Sequence, residues 1–547
     1  MRLRSKVSVL VLPVVSALVL AGCGGGGGSS SGDGVISLLG NDPQNPLIPT
    51  NTQETEGGKI VDAMWSGLLK YNPDTGKAEN EMATSITPSE KNTVFDVKFK
   101  KGWKFQDGTE VKADNFINAW NYGAYAPNGQ NNADFFSDIK GYNDVHPEDE
   151  KAKPATDKMS GLQKVNDYEF KVTLSSPNIT FKQKLGYTAF YPMPDQFFKA
   201  PDKNKWAKDK PIGNGPYRFD EYKPSVETKL KRFDQFSGPD KPQPKEIDFK
   251  VYQNQDAAYR DLQAGNLDFM EVVPPSALAG NKYKTDLDGR VLNGPLMTDE
   301  AIAIPEYLKE PAFKNPDFRH GISMAINRAE ISKQIFNGSR EPIDGWLPPS
   351  VPGVQKGACG EFCQYNPQKA KELIQKVGWK GTIPIQSNAD AGHKEWIEAV
   401  ANSINKTLEG TGVKAQFSPV PTFQVLRQQE AGKQLAGWTR SGWNFDFPSP
   451  DNQLAALYKT GGSTNITDYS NPKLDQMLEQ AREAATDDEA NKDYAEAEKM
   501  LVANMPQIPL WSETGTAAYS DKIKSVKENK MKRVADVTSI VLNNNKS

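Results

Sequence analysis

Short blocks of strict apolar–polar alternation recur along this chain, and sharply punctuated helices lie between them. Phe95, Val97 and Phe99 alternate with Asp96, Lys98 and Lys100, and Tyr168, Phe170, Val172 and Leu174 alternate with Glu169, Lys171 and Thr173. Ile247, Phe249 and Val251 repeat the pattern. A period of two places each apolar set on one face, so every block reads as a half-buried strand. Asp107-Gly108 reads as a turn. Helix signals are as plain. Asn327 followed by Glu330 has the spacing of a capping box, and Asn337-Gly338 closes that segment. Asn366-Pro367 and Asn471-Pro472 each offer an N-cap with proline at the first helical position. Gly265 ends a helix built on Tyr259, Leu262 and Gln263, and residues 398–408 read as another, closed near Gly410. Strands interleaved with helices over the whole length predict an α/β or α+β protein.

The N-terminal residues stand outside this pattern. Arg2, Arg4 and Lys6 precede an apolar run from Val7 to Leu20. A membrane-spanning helix needs about 20 apolar residues, and this run is shorter and contains Pro13. A basic start, a short apolar stretch and small residues after it describe a secretory signal over residues 1–22. Leu20-Ala21-Gly22-Cys23 resembles the lipobox of bacterial lipoprotein signals, which implies a lipid on Cys23. The alternative is an ordinary signal peptide with an unrelated cysteine. Residues 23–34 follow as a tether: Gly24 to Gly28 and then Ser29-Ser30-Ser31-Gly32 cannot bury apolar surface.

About 510 residues remain, too many for one core, so two or three domains are expected. Removing Arg2, Arg4 and Lys6 takes the formal charge from −3 to −6, which gives no reason to expect a nucleic-acid partner. Cys359 and Cys363 are the other cysteines, and outside the membrane such a pair tends to oxidise to a local disulfide. The histidines, His146, His320 and His393, are far apart in sequence, so neither a metal site nor a histidine-dependent hydrolase is expected. A nucleophile elbow, a zinc-binding helix and a phosphate loop are all missing from the sequence.

Six separated segments share a distinctive character: 65–71 (Trp65 to Tyr71), 101–116 (Lys101 to Phe116), Gly213-Asn214-Gly215-Pro216-Tyr217-Arg218-Phe219, Leu262-Gln263-Ala264-Gly265-Asn266-Leu267-Asp268, 318–328 (Phe318 to Arg328) and 442–450 (Gly442 to Pro450). In this order and spacing they closely resemble the large extracytoplasmic solute-binding proteins of the peptide/nickel ABC importer family, from about residue 36 to about residue 540. The resemblance implies an α/β, bilobal, periplasmic-binding-protein-like fold of the type II, three-domain form, with the ligand between the lobes. It implies a discontinuous first domain (35–75, 190–290 and 505–547), a second (76–189) and a third forming the other lobe (291–504). It also implies no catalysis, no cofactor and no resident metal.

The last segment carries the candidate site. Trp443, Phe445 and Phe447 surround Asp446 with aromatic surface, and a carboxylate there is costly unless a cation pairs with it. In peptide binders of this family the matching aspartate pairs with the ligand's α-ammonium, and that role is carried to Asp446. Arg440 matches a family position and is expected either to meet a ligand carboxylate or to steady Asp446. Residues 439–442, including Ser441 and Gly442, are expected to run as a strand edge beside an extended ligand, where backbone pairing ignores ligand side chains. Phe135 or Phe136 corresponds to an aromatic that faces the ligand in relatives. Val420-Pro421 departs from the family, which often has an aromatic residue there. Trp103 and Phe105 read as core, and Gly213 and Gly215 as a tight turn using positive φ.

The expected function is that of a monomeric substrate-binding lipoprotein. It would hold oligopeptides for an ABC permease in the same membrane, at the extracytoplasmic face. A receptor for a peptide signal, or a binder of dipeptide, nickel chelate, haem, sugar or opine-like solute, would use the same fold.

Overall fold

The computed structural model describes residues 34–149, 151–252, 254–389 and 392–543. Cys23 and the glycine tether lie outside the described residues. Eleven strands make one large mixed sheet, and a second sheet of four strands packs beside it. The smaller sheet runs Ala83–Ser89, Val94–Phe99, Glu169–Thr173, Leu162–Asn166, and so contains two of the alternating blocks. Phe95, Val97, Phe99, Phe170 and Val172 all point into the core, as their spacing requires.

The two largest apolar cores define two lobes. The first gathers the four-stranded sheet, its helices and one end of the large sheet, with Trp103, Phe105, Phe116 and Trp120 at its centre. The second gathers Trp346, Trp396, Trp438 and Trp511 with the helices that pack on the other end. Both lobes share the large sheet through two 13-residue strands, Val291–Ala303 and Gln507–Tyr519, here called the crossover strands. They pair antiparallel, from Val291 opposite Ala518 to Ala303 opposite Gln507. Leu292 packs on the first core while Met297 and Ile302 belong to the second. Ala517 belongs to the first core while Ile508, Leu510 and Trp511 belong to the second. The packing thus passes from lobe to lobe within each strand, whereas boundaries at 290/291 and 504/505 fall at or just before their starts.

Local signals explain the helices. Asn327, Asn366 and Asn471 each cap a helix by accepting from a backbone amide in its first turn, and Pro367 and Pro472 occupy the first helical position. Gly265 and Asn337 close helices in the left-handed conformation. The helix expected from residue 398 begins earlier, spanning Lys394–Thr407. Cys359 and Cys363 are joined in a disulfide.

One expectation about glycine is corrected. Neither Gly213 nor Gly215 has positive φ. They are glycines because the Trp65 segment passes against them: a Cβ on Gly213 would lie 2.0 Å from the Met64 carbonyl oxygen, and one on Gly215 2.6 Å from the Met64 carbonyl carbon. Asn214, fully buried between them, accepts from the Ser66 amide and donates to the Ser66 carbonyl.

Candidate ligand-binding cleft

A cavity of about 920 Å³ lies between the lobes. That is near the upper end for small-molecule sites. One wall is the strand Trp438–Asn444, here called the cleft strand. It pairs along its length with the first crossover strand, from Thr298 opposite Asn444 to Ala303 opposite Thr439. On its other side the strand Gly381–Asn388 pairs only with Trp438 and Thr439. From Arg440 to Asn444 that edge has no strand partner among the described residues, and all five of these residues line the cavity.

Alternation along this strand sorts its side chains. Arg440 and Gly442 share a face, and the Arg440 side chain folds back across Gly442. A Cβ on Gly442 would come within 2.1 Å of Arg440 Nη2, so a larger residue there would have to displace the guanidinium. The guanidinium ends on Glu300, directly opposite Gly442 in register, with Nε donating to Oε2 at 2.8 Å and Nη2 to Oε1 at 2.6 Å. Burial alone would lower the proton affinity of Arg440, but Glu300 outweighs it and raises it. The idea that Arg440 steadies Asp446 is therefore corrected: both ends of its fork are taken by Glu300.

Asp446 follows the strand and is positioned by the next helix. Ser449 caps that helix, Pro450–Tyr458, and Pro450 begins it. Asn452 therefore stands in the first turn, facing back at the loop. Its Oδ1 accepts from the Trp443 indole at 2.9 Å and from the Asp446 amide at 3.1 Å, while its Nδ2 donates to Asp446 Oδ2 at 3.2 Å. One asparagine thus fixes both Trp443 and Asp446. The Tyr187 hydroxyl, from the other lobe, lies beside Asp446. Burial pushes the Asp446 carboxyl up to about 6; the Asn452 amide opposes the shift, the nearby charge of Asp134 adds to it, and the Tyr187 hydroxyl and the Lys532 charge reduce it. No lysine or arginine among the described residues forms an ion pair with Asp446.

The remaining expected residues divide. Ser441, Gly442, Trp443 and Phe135 line the cavity, and Phe135 stacks on Tyr187 with ring centroids 4.3 Å apart. Phe445 does not: just past the end of the cleft strand, it is buried in the core of the second lobe. Phe447 lines the cavity, and Lys184 of the first lobe lies over its ring at 5.5 Å. Phe136 is fully buried and faces the first core.

Asn452, Tyr187 and Asp134 were not found from sequence. Asn452 had a local signal, since Pro448-Ser449-Pro450 marks a helix start two residues before it. Tyr187 and Asp134 had none, because they meet Asp446 only across the cleft.

The lobes also touch each other directly. The Ile179 amide donates to the Arg482 carbonyl at 2.9 Å, and the Arg482 side chain holds Asp451 at 2.8 Å. The Ser463 hydroxyl lies near Asp134 across the cleft. No group of histidine, cysteine and acidic side chains suited to a metal occurs among the described residues.

Comparison with known proteins agrees with this architecture. The chain is 25% identical to the oligopeptide-binding protein OppA of Bacillus subtilis, over 96% of this chain and 97% of OppA. It is 24% identical to the glutathione-binding protein GsiB of Escherichia coli K12, over 87% of this chain and 88% of GsiB. The solved structure of the Escherichia coli murein tripeptide binding protein MppA superposes with a TM-score of 0.79 at 22% identity, covering 93% of this chain and 98% of MppA. That likeness shows the bilobal fold. Residues 77–465 match the family model described as "Bacterial extracellular solute-binding proteins, family 5 Middle", and the chain belongs to that family of extracellular solute-binding proteins.

Proposed function

We propose that this protein is the substrate-binding component of an ABC importer, that it takes extended oligopeptides between its lobes, and that it passes them to a membrane permease. The observation that carries this reading is the open edge of the cleft strand, Arg440 to Asn444, with Asp446 just beyond its end. A free sheet edge offers main-chain donors and acceptors to any extended backbone, whatever its side chains. A desolvated carboxylate at one end of that edge selects a cation, and the α-ammonium is the cation every unblocked peptide carries. The names of the relatives, an oligopeptide, a glutathione and a murein tripeptide binder, support the same class of ligand.

Asp446→Ala is expected to weaken binding of free-amine peptides by about 2–4 kcal/mol, roughly 30- to 1,000-fold. N-acetylated peptides should lose far less. Equal losses for the two forms, measured by calorimetry, would reject the amine role. Native mass spectrometry of the protein as purified should show a ladder of intact peptides, since a binding protein releases its ligand unaltered.

Cys23 is proposed to carry the lipid that keeps the lobes within reach of the permease. Cys23→Ser should release the protein from washed cells into the medium. Retention of that variant on the membrane would exclude a lipid on Cys23 as the anchor.

A further inference from the structure

The cleft contains a second carboxylate, Asp134, that forms no ion pair among the described residues. Asp134 lies on the short 3-10 turn Ala133–Phe136 of the first lobe and lines the cavity opposite Asp446. Asp446 feels the charge of Asp134, and Tyr187 stands beside both acids. The Tyr187 ring is stacked on Phe135, the neighbour of Asp134. The Ser463 hydroxyl lies near Asp134.

The cations around the cavity are already engaged. Lys184 is 2.6 Å from Asp138, Arg440 is 2.6 Å from Glu300, Arg482 is 2.8 Å from Asp451 and Arg427 is 2.7 Å from Glu430. Lys459 is paired with Glu479. On the rim, Asp42 and Glu54 are held by hydroxyl and amide donors, not by cations. Lys184 does temper the field at Asp134, but its ammonium is committed to Asp138. Among the described residues, Asp134 and Asp446 therefore face each other across the cleft without an ion pair, and every lysine and arginine lining the cavity is already paired with another acid.

One α-ammonium supplies one charge where two are wanted. Asp134 and Asp446 repel across the cavity, and such repulsion grows as the lobes draw together and the local dielectric falls. A ligand favours the closed arrangement only by what it gains there and not in the open one. A second cation between the lobes provides that gain.

Taking the ligand to be a peptide, as proposed above, we infer that it carries two positive charges at its amino end. The α-ammonium meets Asp446, and the side chain of a lysine or arginine in the first or second residue meets Asp134, which makes Asp134 a specificity-determining residue.

The test uses the full-length protein and calorimetry with three sets of tetra-alanine analogues, bearing lysine, norleucine or glutamate at the first or the second position. Norleucine keeps the stem of lysine and removes its charge. The better of the two lysine peptides should bind at least tenfold more tightly than its norleucine counterpart, and the glutamate peptides most weakly. In Asp134→Asn, where Ser463 can still donate to the amide oxygen, the lysine preference should shrink to about twofold while norleucine affinity stays within about threefold. Equal binding of lysine and norleucine peptides by the natural protein would overturn the inference and leave the peptide reading standing. So would a lysine preference that survives Asp134→Asn. If no analogue binds at all, the peptide reading itself falls and takes this inference with it.

Discussion

Asp446 carries a carboxyl whose proton affinity is set by the cleft. Its ordinary value is 3.8 and its value in the folded protein is about 6, mainly because burial disfavours the charge. The folded form therefore holds this proton more tightly than the unfolded chain does. The carboxylate's cost to stability is present in full above about pH 6 and is relieved as pH falls toward about 4. Binding runs the other way. A cationic ligand requires the carboxylate, so below about pH 6 it must displace a proton. Affinity for a free-amine peptide is expected to be level from about pH 6.5 to 7.5 and to fall by nearly tenfold per unit of pH below about 5.5. For a peptide that also carries a lysine or arginine at its amino end, Asp134, likewise raised by burial, steepens the fall. Asp446→Asn should remove most of the dependence, and a titration showing the same slope in both proteins would contradict the assignment. At this scale the sequence was readable where the chemistry is local. Asp446 and Arg440 stand out within a few residues of each other, but Arg440 finds its partner, Glu300, across a strand pair that no short window contains.

Elements were readable where caps and periodicity specify them. Asn327, Asn366, Asn471 and Gly265 mark helix ends through bonds made within one turn, so their meaning survives any tertiary context. The free edge of the cleft strand was only half readable. Its residues are polar and irregular enough to suggest an edge, but whether a neighbour covers it depends on where the strand Gly381–Asn388 stops pairing, which is at Thr439. Gly213 and Gly215 show the opposite failure. A glycine in sequence advertises freedom in φ, whereas here the demand is for empty space beside Met64 and Trp65. Gly213→Ala would force the backbone of two segments apart, since the obstructing atom is a carbonyl oxygen and not a movable side-chain tip. A loss of about 1–3 kcal/mol is expected, read as a lower urea midpoint. An unchanged midpoint would mean that the segments are looser than the 2.0 Å approach requires.

At the scale of the whole molecule, two lobes on one shared sheet must move without tearing it. Between Pro295 and Asp299 the first crossover strand advances four residues while its partner advances two, from Thr514 to Ser512. The ladder is already out of register there, so a bend at this point costs few backbone bonds. Closure then depends on small contacts across the cleft. Ser463→Ala removes one of them, the hydroxyl near Asp134, at an exposed position outside both cores. Ligand affinity should fall about fivefold, near 1 kcal/mol, with the unfolding midpoint unchanged. X-ray scattering should show a larger fraction of open molecules at limiting ligand. A drop in stability without a change in the open fraction would assign Ser463 to the fold instead. The bilobal plan itself was foreseen through six ordered motifs, and not through any property of composition; where along Val291–Ala303 and Gln507–Tyr519 one core gives way to the other was not, because nothing local in these strands marks it.

The unpaired edge at Arg440 to Asn444 has one more consequence. A bare sheet edge is a template for any passing strand, and on an open surface it invites aggregation with unfolded chains. Here the opposite lobe roofs it, and the space left is about 920 Å³. A short fragment fits beneath that roof, and a partly unfolded protein does not. The enclosure is a size filter as much as a binding pocket: the protein can offer a sticky backbone to its surroundings outside the cell because only small pieces can reach it.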